Sequence, residues 1–64
     1  MASGRQKQLL DDLISEKGLD KDTVLADATE YFNRDLMDWD DPDCPKTDAS
    51  CLIEFILEGG GEGA

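Results

Sequence analysis

The chain has 64 residues, with 16 Asp and Glu against 6 Lys and Arg and no His, which gives a formal charge of −10. A chain this short buries only about 60% of its unfolded surface and builds one core, which excludes a multi-domain enzyme. The lack of His removes the usual general base and the commonest metal ligand, and the anionic balance disfavours direct contact with nucleic acid, whose phosphates are bound by Lys and Arg.

The stretch of about 4–17 reads as a helix. Ser3 followed by Gln6 fits a capping box, in which the hydroxyl accepts from a free backbone N–H and the amide reaches back to the cap. Leu9, Leu10, Leu13 and Ile14 then form a helical stripe with no alternation of period two. Lys7 stands four residues before Asp11, a helical ion pair worth a few tenths of a kcal/mol, roughly. No apolar run follows the N-terminus as a signal peptide would require, and none approaches the ~20 residues needed to span a bilayer. The expectation is a cytoplasmic protein with no membrane contact.

Gly18 is the natural stop for this helix, because the residue just past a helix end often adopts the left-handed conformation. Leu19 then folds back onto Ile14 and staples onto Val24, while Asp20 caps the next helix. The segment from Glu16 to Leu25 resembles the opening helix-turn-helix stretch of the N-terminal domain of the bacterial transcription elongation factor NusA, over ten residues of the 64.

The second helix is expected over about 21–37. Leu25, Ala28, Phe32 and Leu36 share one side at 100° per residue, and Trp39 extends that stripe if the helix continues. The opposite side carries Asp27, Glu30, Arg34 and Asp38, an acidic face with one basic interruption, and Tyr31 lies on the border.

Residues 38–45, with four Asp, two Pro and the only Trp, cannot form a regular element, since each Pro removes a donor and biases its predecessor away from helix. They are expected as an extended acidic loop. Thr47 or Asp48 then caps a third helix over about 48–58, apolar on most sides from Cys51 to Leu57 and therefore central in the core or part of a subunit contact. Its Ile and Phe also suit a strand, but nothing else in the chain offers a strand to pair with. The glycine-rich residues 59–64 are expected as a flexible tail. The fold expectation is thus all-α, one three-helix domain over 1–58 plus the tail.

Several chemistries fail on spacing. An EF-hand register from Asp38 meets Pro42 at a ligand position, and one from Asp43 meets Pro45 and Thr47. Zinc needs two more soft ligands than Cys44 and Cys51 supply, and the aspartates around Cys44 raise rather than lower a thiol pKa, against redox catalysis. Two cysteines make no disulfide framework and suit a reducing compartment. No catalytic residue, metal or cofactor is assigned. The expected function is an acidic interaction module, a small regulator or inhibitor of a basic protein; its strong version is nucleic-acid mimicry of a nucleic-acid-handling partner, as in small phage-encoded regulators. Its expected binding residues are Asp27, Glu30, Asp38, Asp40, Asp41 and Asp43, with Trp39 as the apolar anchor. The alternative is an assembly subunit that forms a homodimer, or docks on a scaffold, through its apolar third helix.

Overall fold

In the computed structural model, which describes residues 1–60, three helices follow one another: α1 (Gly4–Lys17), α2 (Lys21–Phe32) and α3 (Lys46–Leu57), with no strand among the described residues. The all-α reading holds, and the helical assignment of the third apolar segment with it. α3 packs on both α1 and α2 and contributes Ala49, Leu52, Phe55 and Ile56 to the core, so it is the central element. Leu10 and Leu13 face it from α1, Val24 and Ala28 from α2.

Local chemistry explains where α1 begins and ends. The Ser3 hydroxyl accepts from the Gln6 amide at 3.1 Å, and the Gln6 side chain accepts from the Ser3 amide at 2.9 Å, which closes the expected capping box. The same Gln6 side chain donates to the Ser50 hydroxyl at 3.1 Å, so one residue caps α1 and reaches α3. At the other end Gly18 is left-handed (φ 66°), its amide bonded to Ser15 and that of Leu19 to Ile14. This paired arrangement is the Schellman motif.

The same motif closes the other two helices. Asn33 (φ 55°) ends α2, with its amide on Glu30 and that of Arg34 on Thr29. Gly59 (φ 88°) and Gly60 end α3, with their amides on Ile56 and Phe55. Gly60 lies so close to the Phe55 ring that a Cβ there would stand 2.6 Å from it. Gly59 and Gly60, expected in the tail, therefore belong to the helix terminus, and the rest of that expectation, 61–64, lies outside the described residues.

Two helix boundaries need correction. α2 stops at Phe32, five residues before the expected 37, because Asn33 takes the left-handed conformation that Asn tolerates better than most residues. Leu36 and Trp39 still reach the core, but from the returning chain and not as a continuation of the helical stripe. α3 starts at Lys46, two residues early, with Pro45 as N-cap and no side-chain cap. The pyrrolidine ring of Pro45 holds φ near −67°, and its carbonyl accepts the first helical bond from Ala49 at 3.2 Å.

The two left-handed positions make a paired test. A Cβ at Gly18 would meet nothing within 4 Å, so Gly18→Ala carries backbone strain alone and should lower stability by about 1–2 kcal/mol. Asn33→Gly relieves the same strain and should leave the urea midpoint unchanged or slightly raised. Equal effects of the two substitutions in urea unfolding would contradict this account of the helix ends.

Candidate functional site

The acidic loop between α2 and α3 is folded by its own aspartates. The Asp38 carboxylate accepts from the Asp40 amide at 2.9 Å, and the Asp41 carboxylate from the Asp43 amide at 2.9 Å. The Asp38 carbonyl accepts from the Asp41 amide and that of Asp41 from the Cys44 amide, each at 3.0 Å. Residues 38–44 are thus two successive turns, each headed by an Asp whose side chain supplies the bond that a backbone group otherwise would. The Cys44 carbonyl then accepts from the Ala2 amide at 2.5 Å, which ties the loop to the N-terminus.

Trp39 sits between the two ends of the first turn, and its side chain is fully buried, with 0% exposure. Its indole N–H donates to Asp11 of α1 at 2.9 Å. The ammonium of Lys21, the first residue of α2, stands 5.0 Å from the centre of the indole ring and bonds to Asp38 at 2.7 Å and Asp40 at 2.5 Å. One cation therefore holds both arms of the turn against the tryptophan. Burial works against the Lys21 charge, but hydrogen bonds and charge from Asp38 and Asp40 outweigh it and raise its pKa above the ordinary value. Partial burial pushes Asp38 up, and the Lys21 bond, the Asp40 amide and the lysine charge together hold it below its ordinary value.

A second clip fastens the other end of the loop. Asp48, buried at the start of α3, accepts from the Arg34 guanidinium and, through its other oxygen, from the Met37 amide at 3.1 Å. Asp48 was expected as a helix cap; instead it is the residue on which the chain leaving α2 turns. Cys44 is also fully buried, its thiol 3.5 Å from the Met37 carbonyl. Burial, then the charges of Asp48, Asp38 and Asp41, push its pKa up, which favours the protonated thiol.

The expected binding residues divide accordingly. Asp40, Asp41 and Asp43 are exposed on the loop, and Glu30 is exposed on α2. Asp27 and Asp38 are half-buried, and both Asp38 and the exposed Asp40 are paired with Lys21. Trp39 as an exposed anchor is corrected: its side chain belongs to the core. The acidic face expected to run from Asp27 through Arg34 to Asp38 on one helix is likewise broken, because α2 ends before Arg34. Sequence reasoning missed Lys21, Asp11, Arg34 and Asp48 as the residues that hold the loop. The one available signal was a buried-type residue, Trp39, inside an Asp-rich run, which demands a donor's partner and a cation nearby.

The charge is unevenly spread along the chain. Residues 20–43 hold nine of the 16 acidic side chains and two of the six basic ones, whereas residues 1–19 hold three of each. Both cations of the acidic half, Lys21 and Arg34, are spent on internal bonds. Among the described residues no group of three or more Cys, Asp or Glu is arranged to hold a metal ion, and no helix is long and apolar enough to cross a membrane. Compared with protein-family models, curated proteins and solved structures, the chain matches none. The short resemblance to the elongation-factor domain consequently assigns no family, and its residues are accounted for by the Gly18 terminus and the Asp20 cap, whose carboxylate accepts from the Thr23 amide at 3.0 Å.

Removal of the indole should therefore abolish folding. Trp39→Ala is expected to cost about 3–5 kcal/mol, as large as the net stability of a domain this small, and to erase the helical circular dichroism at 25 °C. A folded Trp39→Ala protein would return the residue to the surface role.

The pH profile should fall on both sides. Asp38, with its lowered pKa, adds stability that is present above its unfolded value near ~3.9 and is lost as pH falls through the lower folded value. Lys21 and Cys44, with raised pKa values, add stability that is present below their unfolded values and lost as pH rises through the folded ones; the thiol, with an unfolded value near ~8.5, acts first. Urea unfolding at pH 7 and pH 9.5 should show a smaller alkaline loss for Cys44→Ala than for the wild type.

Proposed function

We propose that the protein is an acidic protein-binding module, a small regulator or inhibitor that docks on a basic partner through the exposed carboxylates of the 35–43 loop and the adjacent face of α2. The observation that carries this reading is the concentration of nine carboxylates in residues 20–43 with both local cations turned inward. Such a surface raises the encounter rate with a cationic partner and disfavours anionic ones. The turns that fix Asp40, Asp41 and Asp43 reduce the ordering cost of binding, as does the interior attachment of Trp39. A partner that handles nucleic acid, with a groove built for phosphates, suits a fixed array of this kind. The two free cysteines fit a cytoplasmic setting.

An assembly role through the third helix ranks second. α3 commits Ala49, Leu52, Phe55 and Ile56 to its own core, and of its large apolar side chains Leu57 is the exposed one. That leaves little apolar surface for a stable homodimer.

The test exploits the turn geometry, since Asn keeps the side-chain oxygen that heads an Asp turn while losing its charge. A variant with Asp41→Asn and Asp43→Asn, which leaves the Lys21 contacts of Asp38 and Asp40 intact, should keep its helical spectrum. Affinity capture from lysate with the wild type should retain a basic protein that is released by salt and that the variant fails to retain. Equal recovery by both, or recovery of the protein's own copies alone, would overturn the reading.

A further inference from the structure

Away from the acidic loop, the C-terminal ends of α2 and α3 enclose a shallow depression lined by Tyr31, Phe55, Glu58 and Gly60. Three aromatic rings converge there. Tyr31 meets Phe32 edge-on with ring centres 4.9 Å apart, and leans on Phe55 at 5.4 Å with the planes tilted by 51°. Phe32 and Phe55 are half-buried and buried, but Tyr31 is 66% exposed, so much of its surface remains open to solvent on a depression that the exposed acidic residue Glu58 also lines. Gly60 bounds the depression by lying directly on the Phe55 ring, a contact that leaves no room for a side chain.

An aromatic surface and an acidic residue lining one depression suit an organic cation. The quadrupole of the ring attracts positive charge to its face, and the carboxylate supplies the counter-charge. Guanidinium suits this pairing better than ammonium, because it is planar, less strongly hydrated, and able to stack on a ring while donating to a carboxylate at its edge. Charge complementarity points the same way, as the whole chain carries −10. Arg34, three residues after Tyr31, does not fill the role, since its guanidinium is turned to Asp48.

We propose that this depression receives an arginine side chain of the basic partner, with the guanidinium stacked on Tyr31 and hydrogen-bonded to Glu58. The proposal rests on the reading of a basic partner and gives that partner a specific anchor. It replaces Trp39, whose interior position removes it from this task, by Tyr31 as the aromatic contact. The acidic loop then steers the encounter while the depression selects arginine.

The experiment uses the whole chain and N-acetyl-arginine amide as the probe, followed by amide chemical shifts at constant ionic strength, with N-acetyl-lysine amide and sodium chloride as controls. Saturable shifts at Tyr31, Glu58 and Gly60, weaker with the lysine probe, are expected. Tyr31→Leu, which keeps bulk but removes the ring face, should weaken arginine binding about two- to fivefold. Glu58→Gln should weaken it as well, and both variants should retain the helical spectrum because both side chains are exposed. Shifts confined to Asp40, Asp41 and Asp43 would overturn the depression as an arginine site and leave the acidic-loop reading standing. Shifts confined to the depression would support the arginine site and count against the loop as a binding surface. Absence of saturable shifts, or identical titrations of wild type and Tyr31→Leu, would overturn the proposal.

Discussion

A chain with one tryptophan and two phenylalanines has few aromatic side chains from which to build a core. This protein takes the largest of them, Trp39, from a loop instead of a helix, and seals it between α1, the start of α2 and the loop itself. The first turn of the loop follows from that placement. The indole N–H needs an acceptor, which Asp11 provides, and the ring draws Lys21 across it, which in turn draws Asp38 and Asp40. A side chain of this size removes apolar surface from water and so helps to offset the cost of ordering several loop residues.

The same placement answers a problem of electrostatics. Nine carboxylates within 24 residues repel one another, and repulsion opposes compaction. The chain relieves the strain locally by bringing Lys21 between two of the aspartates and by using the Asp38 and Asp41 oxygens as acceptors for backbone amides, where negative charge is favourable. Asp48 is treated in the same way at the other end, with Arg34 and the Met37 amide. The partly exposed Lys21 pairs are individually worth little, about 1 kcal/mol or less for each surface pair. Their effect is positional: they decide the direction in which the remaining carboxylates point.

Much of this architecture was legible in the residues. The Ser3–Gln6 capping box, the Gly18 terminus and the Asp20 cap are local chemistry, complete within four or five residues, and the structure reproduces all three. The end of α2 was misread because Leu36 and Trp39 continue the helical stripe by spacing, and periodicity cannot distinguish a helix that continues from a chain that turns back with its apolar residues in hand. Asn33 was the local clue. The long-range partners, Asp11 with Trp39 and Arg34 with Asp48, join residues 28 and 14 positions apart, and no pattern within one element specifies them. The acidity of the loop was plain from composition, but its order was not, because order depends on Trp39 pointing inward.

The position of Trp39 also separates two tasks that an acidic surface is often asked to perform together. Exposed carboxylates act over a Debye length of roughly 8–10 Å and govern how often and in which orientation a cationic partner arrives. They do little to hold it, because each exposed pair is screened and hydrated. Retention requires contacts that exclude water, usually aromatic or arginine side chains in a pocket. With the indole committed to the interior, the loop can supply only the first of these, and the exposed aromatic surface at Tyr31 lies on another part of the molecule, where α2 and α3 end. In the proposed complex a partner using both would span the surface from the loop to those helix ends, and substitution would separate steering from anchoring.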